Sequence, residues 1–104
     1  MTGKELLRRY ARGERDFRGI VLRKGNLSEA ILVGSHFEDA DFSEASLFGT
    51  CFYRACLDNA KICAADMRMA DLRLANTSGV QWTDTDQTKV IWTDEDLWDD
   101  TRWG

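Results

Sequence analysis

Three residues at equal spacing carry the side chains of a nucleophilic triad. Asp16, His36 and Cys56 stand twenty residues apart, and Asn76 follows at the same interval. A carboxylate, an imidazole and a thiol in line could orient a base and activate a sulfur nucleophile. That chemistry requires a fold that brings positions twenty residues apart together and encloses a substrate.

The cysteines and the single histidine lack the spacing of a metal site. Cys51, Cys56 and Cys63 form no CxxC pair, and His36 has no second histidine with which to form an HxxxH pair. An odd number of cysteines also gives no disulfide framework. The glycines are scattered and open no phosphate-binding helix, so we expect them to ease corners or crowding. The sequence therefore predicts reduced thiols, no metal and no cofactor.

A five-residue repeat organises most of the chain. Counted in fives, twelve consecutive positions hold a large apolar residue: Phe17, Leu22, Leu27, Leu32, Phe37, Phe42, Leu47, Phe52, Leu57, Ile62, Met67 and Leu72. Two residues before each of these positions the chain usually holds alanine, and the residue directly before is often Asp or Asn. A period of five matches neither a helix nor a strand. It predicts a coil of short straight sides in which every fifth residue points inward.

This pattern resembles the A(D/N)LXX motif of the pentapeptide-repeat family. The motif is clearest at 40–42, 65–67 and 70–72, and the resemblance covers about residues 15–79. Residues 10–17 also look like the start of repeat proteins common in cyanobacteria. The resemblance implies an all-β fold, a right-handed quadrilateral β-helix of about three to four coils. Four pentapeptides per coil would stack residues that are twenty apart.

Stacking at that interval makes specific contacts on the outer surface. We expect ion pairs between Arg18 and Glu38 and between Asp41 and Lys61, and cation–π pairs between Phe48 and Arg68 and between Tyr53 and Arg73. Inside, Phe17 should meet Phe37, and Trp82 and Trp92 should end two of the apolar columns. The positions of the possible triad fall on an open face, which is flat or convex. No pocket or oxyanion hole would form there, so we expect no enzyme activity.

The two ends of a solenoid need covers, because the first and last coils are open edges. Residues 1–13 are predicted to form an N-terminal capping helix, with the helical residues at 3–12 after a Thr2-x-x-Glu5 capping box. The β-helix should occupy 14–94, and 95–104 should form a C-terminal cap or tail. Thr93 is expected to start a short helix that runs to about residue 102.

The C-terminal segment allows two interpretations. In one, Trp82 and Trp92 plug the end of the coil and the short helix packs inward. In the other, an exposed tryptophan in an acidic segment binds a partner, since tryptophan is enriched among interface anchors. The second interpretation makes four residues candidates for interaction: Trp98, Trp103, Asp96 and Asp99.

The charge distribution is polar from end to end. Residues 1–24 carry eight basic and three acidic side chains, a balance of +5, whereas 84–104 carry seven acidic and two basic ones, a balance of −5. We expect a non-enzymatic protein-interaction module with an unknown protein partner, either a monomer or weakly self-associating head to tail. The alternative is a DNA mimic that binds a nucleic-acid enzyme such as DNA gyrase. No apolar run has the length of a signal peptide or membrane span, so a cytoplasmic location without membrane or direct nucleic-acid contact is expected.

Overall fold

The chain forms a solenoid whose turns take twenty residues each. The structure, a computed structural model, describes residues 1–98. For Trp98 it describes the backbone alone. Isolated parallel bridges join positions twenty apart, from Asp16 with His36 to Asp71 with Ile91. Among residues 1–98 the β-structure consists of these single-residue bridges, without longer strands. The twenty-residue stacking expected from the sequence is therefore confirmed.

Each five-residue unit closes with a hydrogen-bonded turn. The N–H of the small residue donates to the carbonyl of the large residue three positions earlier, as in Ala40 to Phe37 at 3.0 Å. The third residue of every turn, from Gly19 to Lys89, has a φ between 57° and 70°. Gly19, Gly34 and Gly49 occupy such positions, where glycine lacks the penalty that a Cβ carries. Glycine therefore eases these turns, as the sequence predicts.

The Asp or Asn of the motif stabilises the chain just before the next turn. Its side-chain oxygen accepts a hydrogen bond from the N–H two residues later, at 3.0 Å from Ser28 to Asn26 and 2.9 Å from Ser43 to Asp41. This Asx-type bond pairs a backbone donor locally. It explains why Asp and Asn recur at this register.

Two of every five side chains form the core. The large residues from Phe17 to Leu72 are at most 2% exposed, and the alanines that stand two residues before them are also buried. The rings of Phe17 and Phe37 stack with centroids 5.4 Å apart, and Phe42 and Phe52 meet Phe37 edge-on at 5.2 and 5.9 Å. A continuous apolar column therefore runs along the solenoid axis.

Helix α1, Gly3–Ala11, lies against the first coil. Thr2 Oγ1 accepts the N–H of Glu5 at the start of the helix, and Leu6 is fully buried in the core. The Tyr10 hydroxyl donates to the carbonyl of Val33 at 2.9 Å. Gly3 packs so closely on the coil that a Cβ there would stand 2.2 Å from the Asn26 oxygen. The sequence predicts that this helix ends at residue 12. In the structure it ends one residue earlier, at Ala11, and Arg12 forms the C-cap.

Helix α2, Asp94–Trp98, follows the last bridge. It begins where the sequence predicts, and its predicted continuation to about residue 102 lies outside the described residues. Neither helix among residues 1–98 is long and apolar enough to cross a membrane.

Candidate functional site

The Asp16, His36, Cys56 and Asn76 backbones stack as successive bridge partners on one outer face. Their side chains do not form the relay of a nucleophilic triad. The Arg18 guanidinium donates to both Asp16 oxygens, at 2.8 and 2.9 Å, and this pairing lowers the pKa of Asp16 to about 2. The salt bridge of Arg18 is therefore with Asp16 rather than with Glu38 as expected, because the carboxylate two residues earlier is within bidentate reach. The pKa of Arg18 is raised mainly by Asp16, and the charge of Glu38 adds only a smaller contribution.

Glu38 takes the place beside His36 that the sequence suggested for Asp16. Its Oε1 lies 3.4 Å from His36 Nδ1, and the Cys56 Sγ completes a cluster whose ligand atoms all lie within 4.8 Å of one another. Burial raises the pKa of the Cys56 thiol. A thiol that resists deprotonation is a poor nucleophile. We refer to His36, Glu38 and Cys56 as the His–Glu–Cys cluster.

The sequence pattern indicated two members of this cluster but not Glu38. A period of twenty brings His36 and Cys56 together, but it says nothing about a neighbour two residues along the same side. The available signal was the His-x-Glu spacing at 36–38, which places both side chains on the outer surface. The other two thiols lie elsewhere: Cys51 Sγ is 3.9 Å from Asp71 Oδ2, and Cys63 Sγ is 3.8 Å from the Gln81 carbonyl oxygen.

Two of the four expected outer pairs form as predicted. The Arg68 guanidinium lies 5.2 Å from the Phe48 ring centroid, and Arg73 lies 5.1 Å from that of Tyr53. Each of these arginines also binds an aspartate two residues earlier, as at Asp66 with 2.8 and 2.9 Å. The arginines thereby neutralise the carboxylates that they follow.

The other expected pair, Asp41 with Lys61, is present as a backbone bridge. The Asp41 carboxylate accepts the Ser43 N–H at 2.9 Å, and no Asp41–Lys61 salt bridge forms within residues 1–98. Although burial opposes it, the Ser43 hydrogen bonds and the charges of Arg23 and Lys61 lower the pKa of Asp41. The expected interaction between Asp41 and Lys61 is therefore present as a charge interaction without a salt bridge.

The C-terminal end of the solenoid exposes apolar surface. Trp82 is half-buried against the core, but Trp92 is 41% exposed, with its ring 5.9 Å from that of Trp82. Leu74 beside it is 66% exposed. A groove is lined by Tyr53, Arg73, Leu74, Trp92, Thr93 and Asp94, and we call these six residues the C-terminal groove. Within residues 1–98, Trp92 thus covers the end of the last coil only in part.

The candidate interaction residues are only partly within the described chain. Asp96 accepts hydrogen bonds from the N–H groups of Trp92 and Thr93, at 2.7 and 3.0 Å, and so fixes the start of α2. The Trp98 side chain, Asp99 and Trp103 lie outside the described residues. Their role in binding stays a prediction.

Comparison with known proteins identifies the repeat. The profile of pentapeptide repeats matches eight copies in residues 22–59 and 40–79, more than half of the chain. The chain belongs to the pentapeptide-repeat family. No curated protein sequence matches it.

Two solved pentapeptide-repeat structures share the fold. One, alr5209 from Nostoc PCC 7120, is 31% identical, with a TM-score of 0.52 over 86% of this chain and 78% of its own. The other is HetL, involved in heterocyst differentiation regulation in the cyanobacterium Nostoc sp. strain PCC 7120. It is 23% identical, with a TM-score of 0.54 over 76% of this chain. The chain spans 41% of the length of HetL. These likenesses place it among β-helix solenoids.

Proposed function

We propose that this pentapeptide-repeat protein is a non-enzymatic protein-interaction module that binds a partner through its C-terminal end. Family membership supports an interaction module. The observation that carries the choice of surface is the exposed Trp92 ring in the C-terminal groove, beside a Leu74 side chain that is 66% exposed. Large apolar side chains that remain in contact with water on an open end are typical of binding surfaces.

The proposed architecture is a right-handed quadrilateral β-helix of three to four coils. Turns repeat every five residues and bridges every twenty, so each coil would have four sides. In this proposal 1–13 cap the first coil, 14–94 form the β-helix, and 95–104 form a cap or tail. The handedness is an expectation from the family.

Charge defines the kind of partner. Asp94 and Glu95 open α2 next to the groove, and the segment 84–104 carries the balance of −5. Arg73 donates to Asp94 at 2.9 Å, so the basic side chain of the groove is already paired. The fitting partner is therefore a protein surface with an apolar side chain surrounded by basic residues.

The solenoid's own N-terminal end has the matching charge. Its balance of +5 would attract the acidic end of a second copy, which makes weak head-to-tail self-association one form of the same proposal. A DNA-mimic role is less well supported. Arginines hold the carboxylates of Asp16, Asp66 and Asp71 in salt bridges and so reduce the negative field of the outer faces. A cytoplasmic location stays an expectation.

The test compares the full chain with two single variants. Leu74→Asp places a charge in the C-terminal groove, and Ile31→Asp places one at a similarly exposed site that does not line the groove, where Ile31 is 64% exposed. Cross-linked complexes are recovered from a native extract and identified by mass spectrometry. Sedimentation at low and moderate ionic strength follows self-association.

The proposal expects a complex that the unchanged chain and Ile31→Asp both form and that Leu74→Asp loses. Loss of a self-associated species in Leu74→Asp alone would identify the partner as a second copy. Complexes that survive unchanged in Leu74→Asp would refute binding through the groove. Inhibition of gyrase supercoiling by the unchanged chain and by both variants would instead favour the DNA mimic.

A further inference from the structure

We propose that the His–Glu–Cys cluster binds a divalent transition metal ion of the Zn²⁺ type. His36, Glu38 and Cys56 each offer one ligand atom, and these three atoms lie within 4.8 Å of one another. They come from two successive coils, so the sequence spacing of ordinary metal motifs is absent. The site would belong to a part of the surface distinct from the C-terminal groove.

The solenoid backbone holds two of the ligands in place. His36 and Cys56 are parallel bridge partners, and the rung is tied by the Phe37 N–H donating to the Cys56 carbonyl at 2.7 Å. The His36 N–H donates in turn to the Arg15 carbonyl, also at 2.7 Å. Glu38 is anchored as well, because its carbonyl accepts the Gly19 N–H at 2.9 Å. Ligands on a rigid ladder lose little freedom when a metal binds.

The spacing of the donor atoms suits a small tetrahedral ion. A nitrogen and an oxygen that share one Zn²⁺ at bonds of about 2.0–2.2 Å stand about 3.4 Å apart at the tetrahedral angle. His36 Nδ1 and Glu38 Oε1 are 3.4 Å apart. The Cys56 Sγ lies within 4.8 Å of one ligand atom of His36 and one of Glu38, so a metal ion bound by all three residues would require the sulfur to move closer.

The donor set selects the class of metal. Imidazole nitrogen, thiolate sulfur and carboxylate oxygen together suit Zn²⁺ and Co²⁺ better than Mg²⁺ or Ca²⁺, which prefer oxygen alone. Three protein ligands leave one position for water. Binding displaces the Cys56 thiol proton to the buffer as the metal–sulfur bond forms.

Two details of the cluster favour a cation there. The Glu38 Oε1 atom is shielded from solvent, and within residues 1–98 it makes no standard hydrogen bond, although His36 Nδ1 lies 3.4 Å away. A metal ion bound between these two atoms would be a stronger partner for the carboxylate oxygen. On the far side of the thiol, the Asn76 amide donates to Cys56 Sγ at 3.7 Å, a contact that would stabilise a metal-bound thiolate. Asp16 is not a ligand, because Arg18 occupies both of its oxygens.

The test is a Co²⁺ titration of the reduced full-length chain followed by absorption. Co²⁺ bound by a thiolate gives a charge-transfer band in the near ultraviolet, and competition with Zn²⁺ then gives its relative affinity. The variants are His36→Ala, Glu38→Gln and Cys56→Ser. Cys51→Ser is the matched control, since it removes a thiol at the same register of the neighbouring side. Circular dichroism confirms that each variant remains folded.

The expected result is one Co²⁺ per chain with a thiolate band, lost in Cys56→Ser and retained in Cys51→Ser. His36→Ala and Glu38→Gln should each weaken the affinity by at least about tenfold, the effect of losing even an outer partner at a metal site. The proposal is overturned if no saturable binding occurs at millimolar Co²⁺. It is also overturned if the band persists in Cys56→Ser, or if Cys51→Ser loses it equally.

Discussion

Phe37→Ala would remove the ring at the centre of the aromatic column. Phe37 is fully buried and touches Phe17, Phe42 and Phe52 at centroid distances of 5.4, 5.2 and 5.9 Å. Truncation of a buried phenylalanine costs about 3–5 kcal/mol, because the transfer energy of the ring is lost and a cavity remains. We expect a loss near the upper end of that range, since three aromatic contacts vanish together. The bridges above and below the residue limit the collapse of the cavity.

The assay is urea unfolding monitored by circular dichroism, with the free energy taken from the midpoint and the slope. Phe48→Ala is the control, because Phe48 lies outside the core, half-buried, with its ring centroid 5.2 Å from the Arg68 guanidinium. That substitution should cost about 1 kcal/mol or less. A loss below about 1 kcal/mol in Phe37→Ala, or equal losses in the two variants, would refute the inward register.

Four further substitutions test the small-residue register, the turns and the surface pairs. Ser35→Ala should stabilise the fold by about 1 kcal/mol in urea unfolding, because the Ser35 hydroxyl is buried and has no hydrogen-bond partner within residues 1–98. Thr50→Ala should destabilise the fold by a similar amount, because the Thr50 hydroxyl donates to a backbone carbonyl at 2.8 Å; the opposite order of stabilities would contradict this reasoning. Gly34→Ala should cost about 1–2 kcal/mol in the same assay, because the Gly34 φ of +69° is unfavourable for a residue with a Cβ. The added Cβ would meet no atom within 4 Å, so the cost would come from the backbone conformation alone; an unchanged midpoint would contradict the left-handed turn. Hydrogen bonds from Arg68 lower the pKa of Asp66, so Arg68→Gln should raise that pKa toward 3.8 in an NMR titration. The stabilisation from the Arg68–Asp66 pair is fully present above the pKa of Asp66 in the unfolded chain and is lost as pH falls through its lowered pKa in the folded chain. If Arg68→Gln and the unchanged chain lost the same stability in acid, this contribution of the pair would be contradicted.

The core could be read from the sequence because its period is unusual. A large residue at every fifth position has only one arrangement in which all of them are buried together, so the placement of Phe37 or Leu57 followed from counting. The αL turn residues could not be read in this way. Leu74 and Met69 have positive φ although their side chains favour other conformations, and the repeat imposes that geometry on them.

The outer surface was predicted less well, for reasons that concern side-chain direction. Stacking by twenty gave the neighbours of Arg68 correctly, but it misplaced Arg18, whose aspartate lies within its own coil. The contact between Glu38 and His36 was missed for the same reason. Side chains two residues apart on one side of a coil compete with side chains of the neighbouring coil for the same partners. The exposure of Trp92 could not be predicted, because the run of large apolar residues in the inward register breaks down after Leu72.

The twenty-residue stacking underlies both the His–Glu–Cys cluster and the exposed C-terminal groove, and one substitution tests it directly. Ile31 and Cys51 are parallel bridge partners, about 4.8 Å apart at strand spacing, which is within the Cα range that a disulfide spans. After mild oxidation of Ile31→Cys, trypsin separates peptide 25–54, which holds positions 31 and 51, from 55–61 with Cys56 and 62–68 with Cys63. The stacking predicts an internal disulfide in peptide 25–54, seen by mass spectrometry as the loss of two hydrogens. A disulfide that joins peptide 25–54 to 55–61 or to 62–68 would contradict it.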